Sequence, residues 1–256
     1  MASPVLALDH LHIASTDLPG DARHYETLLG CAPVWQGSWD GRDALRFAAG
    51  NVDVLLVADE STSGLVGAAF CVDALARLQR RASNVGLTLE EGPQHPDGNP
   101  TLRLCDDSAG RGLALSFVER KAAPENTPTG VTGLDHIVVA SADATATAYL
   151  FGSRLGLELR MDLSRPDWNA RLLFFRCGDL IVEVFQTLDG DVSTERDRFY
   201  GLSWRVADAE ATRARLSAAG FDVSDIRKGR RPGTQVVTVR DSTAGVATLL
   251  LQPPDA

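Results

Sequence analysis

Long apolar runs and paired cysteines are both missing from this sequence. No stretch approaches the roughly 20 apolar residues of a membrane span, and the start lacks the basic and apolar segments of a signal peptide, so we expect neither. The cysteines are Cys31, Cys71, Cys105 and Cys177. Because they form no CxxC pair, we predict reduced thiols in a cytoplasmic protein. The GxSxG, HExxH, P-loop and dinucleotide-binding motifs are also absent, which leaves those chemistries without support.

Basic charge is scarce. The chain has 25 Lys and Arg against 34 Asp and Glu, which gives a formal net charge of −9. Nucleic acids and anionic membranes are bound by basic surfaces, so neither is predicted as a partner. The apolar content of 44% is typical of a soluble globular protein, and 256 residues are enough for two small domains.

One pattern, an Asp followed by a Gly at nearly constant spacing, occurs four times. The pairs are Asp17 and Gly30, Asp73 and Gly86, Asp143 and Gly156, and Asp208 and Gly220. Each Asp closes a strand-like apolar run and can cap a helix with its carboxylate. Each Gly lies where a helix can end in a left-handed residue. The pattern predicts four copies of a strand, a helix and further strands.

The copies are related in pairs. Copy one opens with LDHLHIAS and copy three with LDHIVVAS, whereas copies two and four open with AAFCVD and LSWRVAD. This relation is typical of a two-copy unit that was duplicated once. The segment KAAPENTPTGVTG between the halves has the composition of a linker. We predict one domain over residues 1–120, a linker over 121–129 and a second domain over 130–256.

The third copy resembles the vicinal oxygen chelate superfamily, through LDHIVVAS, a helix ending in RLGLELRMD, and the strands LLFFRCGDLIVEVFQ. That superfamily includes glyoxalase I, extradiol dioxygenases, methylmalonyl-CoA epimerase and bleomycin-resistance proteins. The resemblance implies an α+β fold of four βαβββ modules, which form two paired, cupped, incomplete barrels. It also implies a divalent metal in the cup, held by residues of the first and fourth strands of each module.

Carried over residue by residue, the resemblance gives His10, His136 and Glu183 as metal ligands. The ion would be Fe, Mn, Zn, Ni or Mg. The corresponding positions elsewhere hold Leu55, Gly67, Ser116, Gly201 and Leu249. If modules pair within the halves, the second half holds the functional cup, and if modules one and three pair, all three ligands could share one cup.

Alternation along the strands gives a second candidate metal set. His12 lies two residues after His10, and Asp53 lies two residues before Leu55, so His10, His12 and Asp53 could form a group of two imidazoles and one carboxylate. The other interpretation of such histidines is hydrogen-bonded structure without a metal.

Several further residues are candidates for substrate contact. Arg205 shares a strand face with Gly201, where its guanidinium could hold a carboxylate or enolate oxygen, or could form a structural ion pair with Glu183. We predict catalytic roles for Glu183 and Arg205. The predicted substrate-binding residues are Arg205, Trp168 in SRPDWNAR, Trp204, and Arg231 in RKGRR.

The predicted function is that of an enzyme of this superfamily acting on a small oxygenated organic molecule. The metal would stabilise an enolate-like intermediate in an isomerase or lyase reaction, and the Gly at position 201 makes a dioxygenase the less favoured option. The alternative is a metal-free protein that binds or sequesters a small molecule, as the bleomycin-resistance members do. A homodimer is one option for its assembly.

Overall fold

Each of the four sequence copies folds as a strand, a helix and three further strands. The computed structural model describes residues 3–105, 110–126, 128–190, 192 and 196–254, so Thr127 of the predicted linker lies outside the described residues. The four βαβββ modules and the α+β class are confirmed. Within the described ranges, no helix is long and apolar enough to cross a membrane.

The first two modules follow directly from the pattern of apolar runs. Module one consists of β1 (Val5–Ser15), α1 (Leu18–Leu29), β2 (Trp35–Trp39), β3 (Arg42–Ala48) and β4 (Asp53–Ala58). Module two consists of β5 (Gly64–Val72), α2 (Leu75–Asn84), β6 (Leu89–Glu91), β7 (Thr101–Leu104) and β8 (Leu115–Glu119).

The last two modules repeat this order with a longer hairpin in module three. Module three consists of β9 (Gly133–Ala140), α3 (Ala144–Ala148), a π-helical segment (Tyr149–Arg154), β10 (Glu158–Arg165), a short 3-10 turn (Pro166–Trp168), β11 (Ala170–Cys177) and β12 (Leu180–Thr187). Module four consists of β13 (Arg198–Arg205), α4 (Ala209–Ala218), β14 (Arg227–Lys228), β15 (Gln235–Val239) and β16 (Ala247–Gln252).

The strands form two mixed eight-stranded sheets. The first has the order β2-β3-β4-β1-β5-β8-β7-β6, and the second has the order β10-β11-β12-β9-β13-β16-β15-β14. The first and fourth strands of modules one, two and four pair in parallel, whereas the hairpin strands pair in antiparallel. Modules one and two therefore share the first sheet, and modules three and four share the second.

Three of the predicted helix caps are present. The carboxylates of Asp17, Asp143 and Asp208 accept hydrogen bonds from backbone N–H groups of the first helical turn at 2.9–3.1 Å. These bonds satisfy donors that would otherwise have no partner at the helix start. The glycine that follows each of the four helical segments has a positive φ between 71° and 91°, as predicted.

The predicted cap at Asp73 is wrong. Helix α2 has Ala74 at its N-cap position, without a side-chain cap. The Asp73 carboxylate instead accepts from Arg77 one turn later, and Glu119 accepts from the backbone N–H of Leu75 at 3.0 Å. A carboxylate that is distant in sequence thus replaces the local one.

Two compact units can be described by themselves. One comprises Met1–Asp9, Val66–Ala123 and Ile137–Tyr200, and its core includes ring contacts between Phe70 and Phe117 at 6.2 Å and between Phe151 and Phe175 at 5.8 Å.

The other unit comprises His10–Leu65, Pro124–His136 and Gly201–Ala256. In its core the buried Tyr25 hydroxyl donates to the carbonyl of Thr243 at 3.0 Å. The domain boundaries predicted at 120 and 130 stay a prediction.

Candidate functional site

Module one carries polar side chains on a buried sheet face. In the register of β1 and β4, His10 lies opposite Asp53 and His12 lies opposite Leu55. In the register of β3 and β4, Arg46 also lies opposite Leu55. Directly opposed residues point to the same face, so these side chains lie together. We call this the His10 face, and it comprises Trp35, Trp39, Ala44, Arg46, Asp53, Leu55, Val57, His10 and His12.

The two histidines of this face contact each other directly. Their Nε2 atoms are 2.7 Å apart, and the rings are only 2% and 8% exposed. One ring must donate a proton and the other must accept it. Two imidazole nitrogens that bind one ion at right angles would be about 3 Å apart, given ligand distances of about 2.1 Å. His10 and His12 therefore fit adjacent positions on one metal ion after a slight widening.

The carboxylate of the His10 face is partly neutralised. Asp53 is buried, and its Oδ2 lies 3.5 Å from the Arg46 guanidinium. This pair keeps a negative charge beside the two imidazoles at a tolerable desolvation cost. Imidazole and carboxylate together form a donor set that suits Mn, Fe or Zn.

His10 also belongs to a second group of residues that could bind a metal ion. The ligand atoms of Asp9, His10 and His95 all lie within 4.8 Å of one another, and all three residues are buried. Asp9 also lies 3.1 Å from the Arg120 guanidinium and accepts from the Cys71 thiol at 3.4 Å. The described part of the chain thus holds a buried group of two histidines and one aspartate that could coordinate an ion.

One backbone hydrogen bond indicates the tautomer of His95. Its Nδ1 accepts from the backbone N–H of Asp97 at 3.1 Å, so a neutral ring carries its proton on Nε2, which lies 3.3 Å from Asp9. His95 would have to exchange tautomers to bind an ion through Nε2. The neighbouring Cys71 is an inert thiol, because burial and the Asp9 charge raise its pKa.

In module three, His136 bonds the residue before it. Its Nδ1 lies 2.9 Å from the Asp135 carboxylate, and the side chains are 18% and 30% exposed. The His136 hydrogen bond lowers the pKa of Asp135, and the charges of His136, Arg205 and Arg231 add to the effect. A carboxylate that bonds Nδ1 orients the imidazole ring and raises its basicity as a ligand. Three predicted site residues therefore surround Asp135.

Asp135 also gives a pH prediction. A carboxyl with a lowered folded pKa stabilises the protein above its unfolded pKa of about 3.9, and this stability is lost as pH falls through the folded value. We expect Asp135→Asn to cost about 1 kcal/mol at pH 7 and less near pH 3, because the stability from a lowered carboxyl pKa declines below the unfolded value. Urea unfolding at both pH values measures this difference. A cost that does not change with pH would contradict the prediction.

The remaining predicted residues occupy different surroundings. Arg205 is half-buried and donates to the carbonyl of Leu134 at 2.7 Å, whereas Trp204 beside it is fully buried. Trp168 is 47% exposed in the 3-10 turn, with the Arg165 guanidinium 5.3 Å from its ring centre. The roles proposed for these residues in substrate binding stay predictions.

Glu183 is buried in β12, where it lies opposite Phe174. Its face continues to Phe185, whose ring meets Tyr200 edge-on at 5.2 Å. A carboxylate among aromatic rings fits the predicted ligand role, which stays a prediction.

Sequence reasoning did not single out several residues of these groups. They are Asp9, Trp39, Arg46, His95 and Asp135. A signal existed for two of them, because an Asp directly precedes the histidine in both LDHLHIAS and LDHIVVAS. No local pattern marked the others, since they join their groups only through strand register or through a loop.

Comparisons with known proteins agree with the fold. A family model described as Glyoxalase/Bleomycin resistance protein/Dioxygenase superfamily matches residues 135–238. The Mn(II)-bound glyoxalase from Novosphingobium aromaticivorans matches with a TM-score of 0.76 at 14% identity, covering 99% of this chain and 84% of that chain. The 2,3-dioxygenase LapB from Pseudomonas sp. KL28 matches with a TM-score of 0.76 at 15% identity, covering 100% and 94%.

A catechol 2,3-dioxygenase matches with a TM-score of 0.71 at 17% identity, covering 99% of this chain and 96% of that chain. No curated protein matches the chain. The family match over residues 135–238 and the two-sheet fold of the whole chain confirm the resemblance seen in the sequence. The matched family model, that of the vicinal oxygen chelate superfamily, thus covers residues 135–238, and the solved structures share the fold of the whole chain.

Proposed function

We propose that this protein is a metal-dependent enzyme that acts on a small oxygenated organic molecule by isomerase or lyase chemistry. The observation that carries the proposal is the buried imidazole pair of His10 and His12, with Nε2 atoms 2.7 Å apart beside Asp53. His10 also belongs to the buried group with Asp9 and His95. It is therefore the ligand most central to the proposed metal centre.

The residues of the His10 face have distinct tasks in this proposal. His10 and His12 would hold the ion, and Asp53 would supply negative charge that Arg46 limits. A bound divalent ion supplies Lewis-acid stabilisation of negative charge that develops on substrate oxygens. Apolar walls at Leu55 and Val57 exclude water, which strengthens these interactions.

The second half supplies an alternative ligand set within the same proposal. His136 and Glu183 would hold the ion there, and Arg205 and Arg231 would hold an anionic substrate group. The hydrogen bond from His136 Nδ1 to Asp135 supports His136 as a ligand, because Nε2 then carries the lone pair. Variants distinguish the two sets.

Metal content tests the proposal. We expect protein purified without chelator to retain Mn, Fe or Zn. His10→Ala should lower its affinity for Mn(II) at least about 100-fold, because loss of an outer-shell partner alone costs about 10–100-fold. Elemental analysis and calorimetric titration with Mn(II) measure both. His24→Ala is the control, since His24 lies half-exposed on α1, 3.6 Å from Asp21.

The outcome also locates the site. Retention of metal by His10→Ala, with loss in His136→Ala and Glu183→Ala, would move the centre to the second half. Unchanged affinity in all three variants would overturn the metal proposal.

A metal-free binding protein is the second candidate. The observation that favours it is that His10 and His12 hydrogen-bond each other and Asp53 faces Arg46, so these side chains have partners within the protein. Thermal unfolding with and without EDTA separates the two candidates. Stabilisation by small organic ligands that is unchanged by EDTA favours the binding protein.

A further inference from the structure

The His10 face carries a buried hydrogen-bond donor that the metal proposal does not use. Trp39 is only 8% exposed, and its indole N–H has no hydrogen-bond partner among the residues that the structure describes. A buried N–H group without an acceptor costs free energy, and an acceptor brought by a ligand removes that cost. An oxygen atom supplied by a ligand could therefore accept a hydrogen bond from the Trp39 indole and stabilise the complex.

The position of Trp39 ties this donor to the imidazole pair. Its ring lies 4.8 Å from the ring of His12 at an interplanar angle of 55°. It packs with Ala44, Leu55 and Val57 in one cluster of the sheet face. An oxygen bound by Trp39 would therefore lie beside His12 and against an apolar wall.

Trp35 packs beside this position. It is partly buried and packs against the same cluster, on β2, which lies at the edge of the sheet and pairs with β3. A Cβ placed on Gly37 would come within 2.7 Å of the Trp35 ring, so the indole lies across the backbone of β2. The Trp39 nitrogen is closed off from solvent, and Trp35 packs against the cluster that contains Trp39.

The charges of the face indicate what kind of oxygen fits. The Arg46 guanidinium already faces Asp53 at 3.5 Å, so the two charges offset each other. A ligand anion would have to be desolvated beside a carboxylate. We propose that the His10 face binds an uncharged carbonyl compound with a flat apolar body, whose oxygen accepts from the Trp39 N–H beside His12. This inference rests on the proposed function in that the carbonyl compound is the substrate.

The test uses two probes of nearly equal shape, acetophenone and α-methylstyrene, which differ in carrying a carbonyl oxygen or a methylene group. The four tryptophans are labelled with ¹⁵N at the indole nitrogen, and single Phe variants assign the signals. We expect saturating acetophenone to shift the Trp39 N–H signal downfield, as hydrogen bonding does, and α-methylstyrene not to. The wild-type protein provides this result, and the other three Phe variants assign Trp39 by elimination if Trp39→Phe does not fold.

Binding to variants gives an independent measure. Trp39→Phe keeps an aromatic ring and removes the N–H, so acetophenone should bind about 3–10-fold more weakly while α-methylstyrene changes less than about twofold. Trp35→Phe is the matched control, and it should change the affinity for both probes equally.

An unmoved Trp39 signal up to the solubility limit of acetophenone overturns this inference. An equal loss of affinity for both probes in Trp39→Phe also overturns it. All titrations are run in EDTA and repeated with Mn(II). Absence of a metal effect would count against the proposed metal centre and leave a shifted Trp39 signal standing. Metal binding at His10 with an unmoved Trp39 signal would overturn this inference alone.

Discussion

Asp9→Ala is expected to destabilise the protein by about 3 kcal/mol, the lower end of the 3–5 kcal/mol typical of breaking a buried ion pair. Asp9 is fully buried, and its carboxylate lies 3.1 Å from the Arg120 guanidinium and 3.3 Å from His95. Its removal leaves Arg120 without this buried partner. The lower end applies because the Arg120 side chain is 23% exposed and can regain some water.

Asp97→Ala is the matched control. Asp97 contacts the same guanidinium at 2.7 Å and the same histidine, but its side chain is 39% exposed. Exposed pairs contribute about 1 kcal/mol or less, so this variant should cost no more than that. Equal losses in Asp9→Ala and Asp97→Ala in urea unfolding would contradict the argument from burial.

The pair can also be tested as a unit. Asp9→Leu combined with Arg120→Met removes both charges and should recover much of the loss of the single Asp9 variant, because two apolar groups replace the pair. The coupling energy of this double-mutant cycle measures the interaction directly.

The repeated module could be predicted because its signals are local. A capping Asp, an apolar stripe and a final Gly lie within one segment, and three of the four caps have the predicted bonds. Asp73 shows the limit of such reasoning. Glu119 lies far along the chain, and its contact with the start of α2 exists only after β8 has joined the sheet.

The candidate site could be predicted in part. Alternation along β1 and β4 was sufficient to predict that His10, His12 and Asp53 share a face, and the strand register agrees. The partners of that face depend on tertiary structure. Arg46 joins through the register of β3, and His95 reaches Asp9 from a loop that has no periodicity. That the Trp39 N–H has no partner among the described residues depends on its whole surroundings, and no pattern of residue types encodes it.

Gly30→Ala is expected to cost roughly 3–4 kcal/mol, because two separate penalties add. Gly30 has φ +73°, where an alanine is strained by about 1–2 kcal/mol. An added Cβ would also come within 2.7 Å of the Cα of Gly130. Overpacking against backbone typically adds about 1–3 kcal/mol.

Two hydrogen bonds hold the neighbours of Gly30 in place, so these neighbours cannot move away easily from an added Cβ. The backbone N–H of Gly130 donates to the carbonyl of Leu29 at 3.0 Å. The hydroxyl of Thr129 donates to the carbonyl of Gly30 at 2.8 Å. The end of the predicted linker is thus fastened to the end of α1. We therefore expect Gly30→Ala to speed proteolysis of residues 121–129 as well as to lower the free energy of unfolding.

Gly86→Ala separates the two penalties. Gly86 follows α2 at φ +71°, as Gly30 follows α1, but a Cβ there would meet no atom within 4 Å. This variant should lose only about 1–2 kcal/mol in the free energy of unfolding, which is the conformational strain of an alanine at positive φ. Urea unfolding of both variants, with limited proteolysis of the linker, measures the difference. If both variants lose the same stability, the close approach of Gly130 adds nothing, and the positive φ alone accounts for glycine at the end of α1.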